Sequence, residues 1–287
     1  MKLNGVDIPI KKYSCSLNGG VQTIQDPYVN LYIKITDNCQ ASCKFCEFRN
    51  LENIEFDLKK LVKSIKLLKT KFLINKVSFT GGEPLLKFDE LKEAIVHVRK
   101  LLPKVEITLN TNGINLNKIT DLGKIHYVAM SRHHYDDKAN YDIFGSKKVP
   151  SFKDIKNFPD TSKLHLRCNL IKGFIDSKET ITEYLNRFSK IGVIDFGFVS
   201  LMPLNSYCKN KFISYEKTGV NSIPNSRMVR KWTYHECHCK NYIAYTHTGN
   251  LVKYYARVNQ NHGQCESIVV FDKDKLRVGF SGEIIDV

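Results

Sequence analysis

The chain has 287 residues, with 44 Lys and Arg against 29 Asp and Glu, a formal net charge of +15. Its 42 % hydrophobic and 25 % charged residues suit a folded globular protein, and 16 Gly and 8 Pro are too few for a collagen-like or low-complexity chain. No apolar run approaches the roughly 18 residues needed to cross a bilayer, and Met1 to Lys12 shows neither the apolar core nor the cleavage site of a signal peptide.

Residues 1–28 read as a polar N-terminal leader with a turn at Asn18-Gly19-Gly20. Val29 to Thr36 is β-rich and short enough for a strand. Asp37 to Asn50 holds three cysteines and reads as a loop. From Phe56 to Thr70, the residues Leu58, Leu61, Val62, Ile65 and Leu68 recur at helical spacing. Lys76 to Phe79 is a second strand, ended by Thr80-Gly81-Gly82-Glu83-Pro84. The alternation continues with a helix over Phe88 to Leu102, a strand over Val105 to Leu109 and a short helix over Asn117 to Leu122. Strands at Tyr127 to Met130 and Leu164 to Leu170, a helix at Ser177 to Ile191 and a strand at Ile194 to Leu201 complete the series. Six strands alternating with helices predict an α/β fold, a partial (β/α)6 parallel barrel over residues 29–203.

Beyond Pro203 the pattern changes. Residues 204–287 read as a basic, cysteine-containing C-terminal extension, with nine Lys or Arg against two acids between Asn205 and Arg257. Tyr242 to His247 and Leu251 to Tyr255 flank Thr248-Gly249-Asn250 and predict a β-hairpin. Two further strands are expected at Ile268 to Phe271 and Leu276 to Phe280.

The nine cysteines are an odd number. Without an export signal they point to metal binding or chemistry rather than to a disulfide framework. Cys39, Cys43 and Cys46 stand as Cys-x3-Cys-x2-Cys on the loop after the first strand. Three thiolates this close can converge on one metal centre. A structural zinc needs a fourth ligand, whereas an iron–sulfur cube held by three cysteines keeps one iron open.

The last cysteine is preceded by Phe45, and the second strand ends in Gly81-Gly82-Glu83-Pro84. Together, in this order and on these elements, the two motifs resemble the signature of the radical S-adenosylmethionine (SAM) superfamily. The resemblance covers roughly residues 30–203. It implies a [4Fe-4S] cluster on Cys39, Cys43 and Cys46, with SAM chelating the open iron through its amino and carboxylate groups. It implies reductive cleavage of SAM to methionine and a 5′-deoxyadenosyl radical that abstracts hydrogen from an unactivated carbon. The Gly81–Gly82 turn would bind the SAM amino group, with Glu83 nearby and Phe45 packing near the adenine. Thr111, Ser131 and Asn169, at the ends of later strands, match positions near the cofactor, and Arg167 lies one pleat behind Asn169 on the same face. In a parallel barrel all of these strand ends face one cavity.

One departure stands out. Ser131 is followed by Arg132-His133-His134 rather than by an apolar residue and Asp. Such a run at a barrel mouth could contact an anionic substrate or shuttle protons, or form an exposed polar loop. Cys208, Cys237, Cys239 and Cys265 could ligate a second iron–sulfur cluster. The Cys239-to-Gly249 spacing is similar to that of SPASM and twitch extensions, although Tyr254 stands where those have a cysteine. The alternatives are a hydrogen-atom donor or plain reduced thiols. Cys15 and Cys168 have no expected metal role.

The positive excess favours an anionic substrate, a peptide or a nucleotide-derived metabolite, unless it serves solubility alone. Nucleic acid is disfavoured because lysines supply affinity without specificity. The resemblance implies a low-potential electron donor of flavodoxin or ferredoxin type and a cytoplasmic setting without membrane association. The competing class is a zinc-stabilised basic module that binds nucleic acid without catalysis. That class leaves the Gly81–Pro84 turn unexplained.

Overall fold

The computed structural model describes residues 1–10, 13–15, 21–23, 28–46, 55–123, 125–218, 226–233, 240–246, 249–256, 267–272, 274–280 and 282–287. The N-terminal segment carries two small hairpins that its polarity did not suggest. They pair Lys2–Leu3 (β1) with Val6–Asp7 (β2), and Tyr13–Cys15 (β3) with Val21–Thr23 (β4). Leu3 and Ile8 are buried in the main core.

The barrel strands follow at the expected places. They are Tyr28–Lys34 (β5), Leu73–Thr80 (β6), Glu106–Thr111 (β7), Tyr127–Ser131 (β8), Leu164–Leu170 (β9) and Asp195–Ser200 (β10). Each pairs in parallel with the next. In β5 the buried Val29, Leu31 and Ile33 alternate with Asn30 and Tyr32, and in β9 the buried Leu164, Leu166, Cys168 and Leu170 alternate with His165, Arg167 and Asn169. This period of two places the aliphatic set against the outer helices and the polar set inside the curved sheet.

Leu58–Leu68 (α1), Phe88–Leu101 (α2) and Lys178–Ser189 (α5) are the connecting helices that matter most to the core. Each buries one stripe: Leu61, Ile65 and Leu68 on α1, then Leu91, Ala94, Ile95 and Val98 on α2, then Ile181, Leu185 and Phe188 on α5. Burying each such side chain contributes roughly 1.5–3 kcal/mol. Asp57 caps α1 by accepting from Lys60 N, and Ser177 with Thr180 forms a capping box on α5. Between β8 and β9 lie two short helices that periodicity did not reveal, Asp137–Phe144 (α3) and Phe152–Lys156 (α4).

After β10 the chain adds strands to both edges of the same sheet. Ser226–Thr233 (β11), Lys240–Thr246 (β12) and Leu251–Ala256 (β13) form an antiparallel run, and β12–β13 is the expected hairpin. Its last strand, β13, joins β10 in parallel. On the other edge Ile268–Asp272 (β14) joins β5 in parallel, and Lys275–Val278 (β15) and Ile284–Ile285 (β16) follow antiparallel. Eight consecutive strands, from β13 to β14, therefore run parallel in an open sheet of twelve. No helix among the described residues is long and apolar enough to cross a membrane.

Candidate active site

The cysteine loop leaves β5 and is held against the end of β6 by main-chain contacts. Gly82 N–H donates to Thr36 O at 2.7 Å, and Glu83 N–H donates to Asn38 O at 2.8 Å. A Cβ at Gly81 would stand 2.3 Å from Thr36 O, and one at Gly82 would stand 2.2 Å from Asn38 O. Gly81 also has φ of +137°. Both positions therefore require glycine, for close approach and, at Gly81, for backbone angle.

Glu83 is fully buried. Its carboxylate accepts from Leu85 N–H at 3.0 Å, the Thr111 hydroxyl at 2.7 Å and Asn112 N–H at 2.7 Å. Burial pushes its carboxyl up to about 7, against these hydrogen bonds. Glu83 and Thr111 thus tie the β6 turn to the end of β7. Asn112 extends the tie, because its Nδ2 lies 3.5 Å from Cys39 Sγ and its Oδ1 accepts from Gln40. Burial also pushes the Cys39 thiol up.

A buried ion triad holds the loop from the other side. Lys34 lies 2.6 Å from Asp37 and 2.8 Å from Asp272 on β14. The C-terminal strand thereby fixes the start of the cysteine loop.

Cys39, Cys43 and Cys46 are free thiols on one loop, with Cys46 N–H donating to Cys43 O at 3.1 Å. Among the described residues no three Cys, His, Asp or Glu side chains are arranged around a single metal ion. Three free thiols on one loop, beside the glycine turn that ends β6, fit an iron–sulfur cluster with one open corner.

The run after Ser131 departs from both readings given to it. Arg132 is 1 % exposed. It donates to His134 O, Pro150 O and Asp137 Oδ1 at 2.7, 2.8 and 2.6 Å. With its guanidinium consumed in folding the loop, Arg132 cannot bind substrate, and the run is not an exposed loop. His133 is 4 % exposed. Burial, aided by Arg132, pushes its imidazole down to about 3, so it is no proton shuttle near neutral pH. His134 is buried too, and its Nδ1 accepts from Asp136 N–H.

Inside the barrel lies a cavity of about 420 Å³. Phe45, Ser131, Asn169, Arg167 and Cys208 line it, whereas Gly81, Gly82, Glu83 and Thr111, expected at the same cavity, are not among its lining residues. Cys208 Sγ lies 3.7 Å from Phe45 O, on the side of the first cysteine loop. Cys237, Cys239 and Cys265 lie outside the described residues.

Three of the lining residues, Lys76, Tyr127 and Arg167, belong to an ionic network, the floor of the barrel, that was not foreseen. Asp195 pairs with Arg167 at 2.8 Å and with Lys253 at 2.7 Å. Lys76 contacts the Tyr127 hydroxyl and pairs with Glu106 at 3.2 Å. Tyr127 stacks on His165 at 3.9 Å. Arg167 fits because β10 offers Gly197 opposite it, where a Cβ would meet its side chain at 2.8 Å. The available signal was polar residues at every second position of strands whose other positions are wholly apolar.

A family model described as the radical SAM superfamily matches residues 33–199. GTP 3′,8-cyclase of Clostridium acetobutylicum is 31 % identical over 205 residues, covering 67 % of this chain and 60 % of that protein. Probable GTP 3′,8-cyclase of Methanocaldococcus jannaschii is 28 % identical over 193 residues, covering 64 % and 62 %. The chain thus spans less than two thirds of either relative. Among solved structures, Streptococcus suis SuiB bound to S-adenosylmethionine shares the fold, with a TM-score of 0.53 at 23 % identity, over 63 % of this chain and 43 % of that one. The family match spans more than half of the sequence and includes both motifs, so this chain belongs to the radical SAM superfamily and is an enzyme that works with a [4Fe-4S] cluster and SAM.

Proposed function

We propose that Cys39, Cys43 and Cys46 ligate the cluster and that SAM chelates the iron they leave open, with its amino group at the Gly81–Glu83 turn. When bound, the cluster supplies the electron that cleaves SAM to methionine and a 5′-deoxyadenosyl radical, and the radical takes hydrogen from the substrate. The electron comes from a low-potential donor of flavodoxin or ferredoxin type. The chain's own part is to hold the loop, exclude water and place the substrate. Glu83, Thr111 and Asn112 position the turn and do not themselves react.

The substrate we propose is a nucleotide-derived anion bound in the barrel cavity. The observation that carries this reading is the cavity's charge. Among the described residues Lys76, Arg167 and Lys253 pair with Asp195 and Glu106, and Lys76 and Arg167 line the cavity itself while neither carboxylate does. The names of the cyclase relatives favour a nucleotide over a peptide.

Anaerobic reconstitution followed by SAM, dithionite and mass spectrometry of 5′-deoxyadenosine tests both parts. About four irons per chain and 5′-deoxyadenosine are expected, and about eight irons would add an auxiliary cluster on Cys237, Cys239 and Cys265. Replacing Cys39, Cys43 and Cys46 by Ala should abolish cleavage, and survival of cleavage would overturn the assignment. Nucleoside phosphates should stimulate 5′-deoxyadenosine formation where the bare nucleosides do not. Lys76→Met should weaken that response about 10- to 100-fold, the worth of one charge-assisted hydrogen bond. Stimulation by peptides alone would refute the substrate class.

A further inference from the structure

The cysteine loop has two sides. Phe45 lines the cavity, whereas Ser42 and Lys44 are exposed to solvent. The C-terminal end of α3 packs on one flank of the loop, where Ser42 N–H donates to Phe144 O at 2.7 Å and Ser42 Oγ to Gly145 O at 3.3 Å. Ser206–Asn210 (α6) packs on the other flank. There Asn205 Nδ2 donates to Lys44 O at 3.1 Å, and Cys208 Sγ lies 3.7 Å from Phe45 O. Residues 42–46, 145–148 and 204–212 thus adjoin one another around the proposed iron ligands.

These three segments hold Lys44, Lys147, Lys148, Lys209 and Lys211 and no Asp or Glu. Lys44, Lys147, Lys148 and Lys209 are exposed, and none forms an ion pair among the described residues. The acids next along the chain are Asp142 on α3 and Glu216 beyond Phe212. Phe212 itself is a large apolar side chain left 45 % exposed. The other lysine-rich faces differ. α2 and α5 set acids such as Glu93 and Glu183 among their cations. On α1, Lys60 pairs with Asp274, and Lys63 donates to Val287 O.

Solubility calls for net charge, but not for an acid-free patch gathered at one loop from three parts of the chain. Like charges crowded together repel one another, and an acidic partner relieves that repulsion. An electron for the cluster has to arrive from outside, because the cavity side is the place of the substrate. Electron tunnelling weakens steeply with distance, so the carrier must seat against the cysteine loop.

We propose that residues 42–46, 145–148 and 204–212 form the docking face for an acidic one-electron carrier protein, with Phe212 as its apolar contact and the lysines as its rim. The inference rests on the cysteine assignment above. On docking, the reduced carrier loses one electron and the cluster gains it, and no bond forms or breaks. The lysines steer the encounter and take no part in the cleavage of SAM.

The test uses the iron-loaded full chain, with flavodoxin as the carrier. In isothermal titration at low salt, Lys147→Glu, Lys148→Glu and Lys209→Glu together should weaken flavodoxin binding about 10- to 100-fold. Added salt should weaken wild-type binding and leave that of the triple variant nearly unchanged. Flavodoxin-driven formation of 5′-deoxyadenosine should fall in step. Dithionite is a small reductant that needs no docking, and it should drive the variant within about twofold of wild type. Lys100, Lys104 and Lys190 are exposed at the far end of the barrel, where α2 and α5 finish. Reversing them in Lys100→Glu, Lys104→Glu and Lys190→Glu should leave flavodoxin binding within about threefold of wild type, since screening separates them from the loop.

The proposal is overturned if the two triple variants weaken binding equally, because net charge alone would then attract the carrier. It is also overturned if wild type fails to bind flavodoxin, or binds it equally well at low and high salt, results that require no variant to fold. A wild-type chain that takes up no iron fails the cysteine assignment instead, and iron counting separates the two failures.

Discussion

The rim of the barrel and its floor are held by different kinds of contact. At the rim, the cysteine loop meets the β6 turn through main-chain atoms, Gly82 N–H on Thr36 O and Glu83 N–H on Asn38 O, and the Glu83 and Lys34 side chains only brace these contacts. At the floor, side chains meet side chains. Lys76 comes from β6, Tyr127 from β8, Arg167 and His165 from β9, Asp195 from β10 and Lys253 from β13. Main-chain contacts depend little on which residues flank them, so they can hold one cofactor geometry while the rest of the sequence varies. A side-chain network can be rewired by single substitutions without moving the backbone. The rim therefore suits the chemistry shared across a family, and the floor suits the choice of substrate.

The rim should be the more fragile of the two. In Gly82→Ala the new methyl would stand 2.2 Å from Asn38 O and 2.5 Å from Asp37 O. Both are backbone atoms that cannot swing aside, so the cysteine loop must move. A displacement of about 1 Å at a reacting centre can cost on the order of 100-fold in rate. A loss of at least that size in 5′-deoxyadenosine formation is expected, together with reduced iron uptake and an unchanged far-ultraviolet circular dichroism spectrum. Wild-type turnover in Gly82→Ala would mean that these contacts do not position the loop.

The same contrast explains what could be read from the sequence. The rim is written locally, with Cys39, Cys43 and Cys46 inside one loop and Gly81-Gly82-Glu83-Pro84 inside one turn. The six barrel strands were legible for a similar reason, since each is a short apolar run bounded by turn residues. The floor is written across more than 170 positions, from Lys76 to Lys253, and only the parallel registers bring it together. Arg132 misled because a charged residue beside two histidines reads as a polar loop. Its partners, Pro150 O and Asp137, are supplied by a segment whose short helices leave little periodic signal. That β13 and β14 would extend the parallel run was equally hidden, since an apolar run does not state which edge it joins.

Asp195→Asn tests the floor without touching the rim. The variant keeps the volume but removes the one carboxylate shared by Arg167 and Lys253. Removing a partner from a largely buried network costs about 3–5 kcal/mol, and the partly exposed cations reduce this to about 2–3 kcal/mol. Denaturant titration should show that loss at pH 7, while SAM affinity of the iron-loaded protein stays within about twofold of wild type. Burial raises the Asp195 carboxyl, but Arg167, His165 and Lys253 outweigh it and leave it below its ordinary value. The stabilisation is therefore complete above the unfolded-state value near 3.8 and fades as the pH falls through the lower folded value. A fall in SAM affinity as large as the fall in stability would show that rim and floor are one coupled unit.

The smallest effect concerns the charge of the floor itself. Burial pushes the His165 imidazole down to about 4; Asp195 opposes this, and Arg167, Lys253 and Lys76 reinforce it. An unfolded histidine titrates near 6.5. Between those two values the unfolded chain binds more protons, so wild-type stability falls as the pH drops from 6.5 toward 4. His165→Phe keeps a ring to stack on Tyr127 and removes the titration. Between pH 7 and pH 5 wild type should lose about 1 kcal/mol more than this variant, after allowance for the partial exposure of the imidazole. Parallel losses would mean that the folded imidazole is protonated at pH 5. The floor would then hold a fourth cation, and the cavity would draw anions more strongly than its three lysine and arginine charges require.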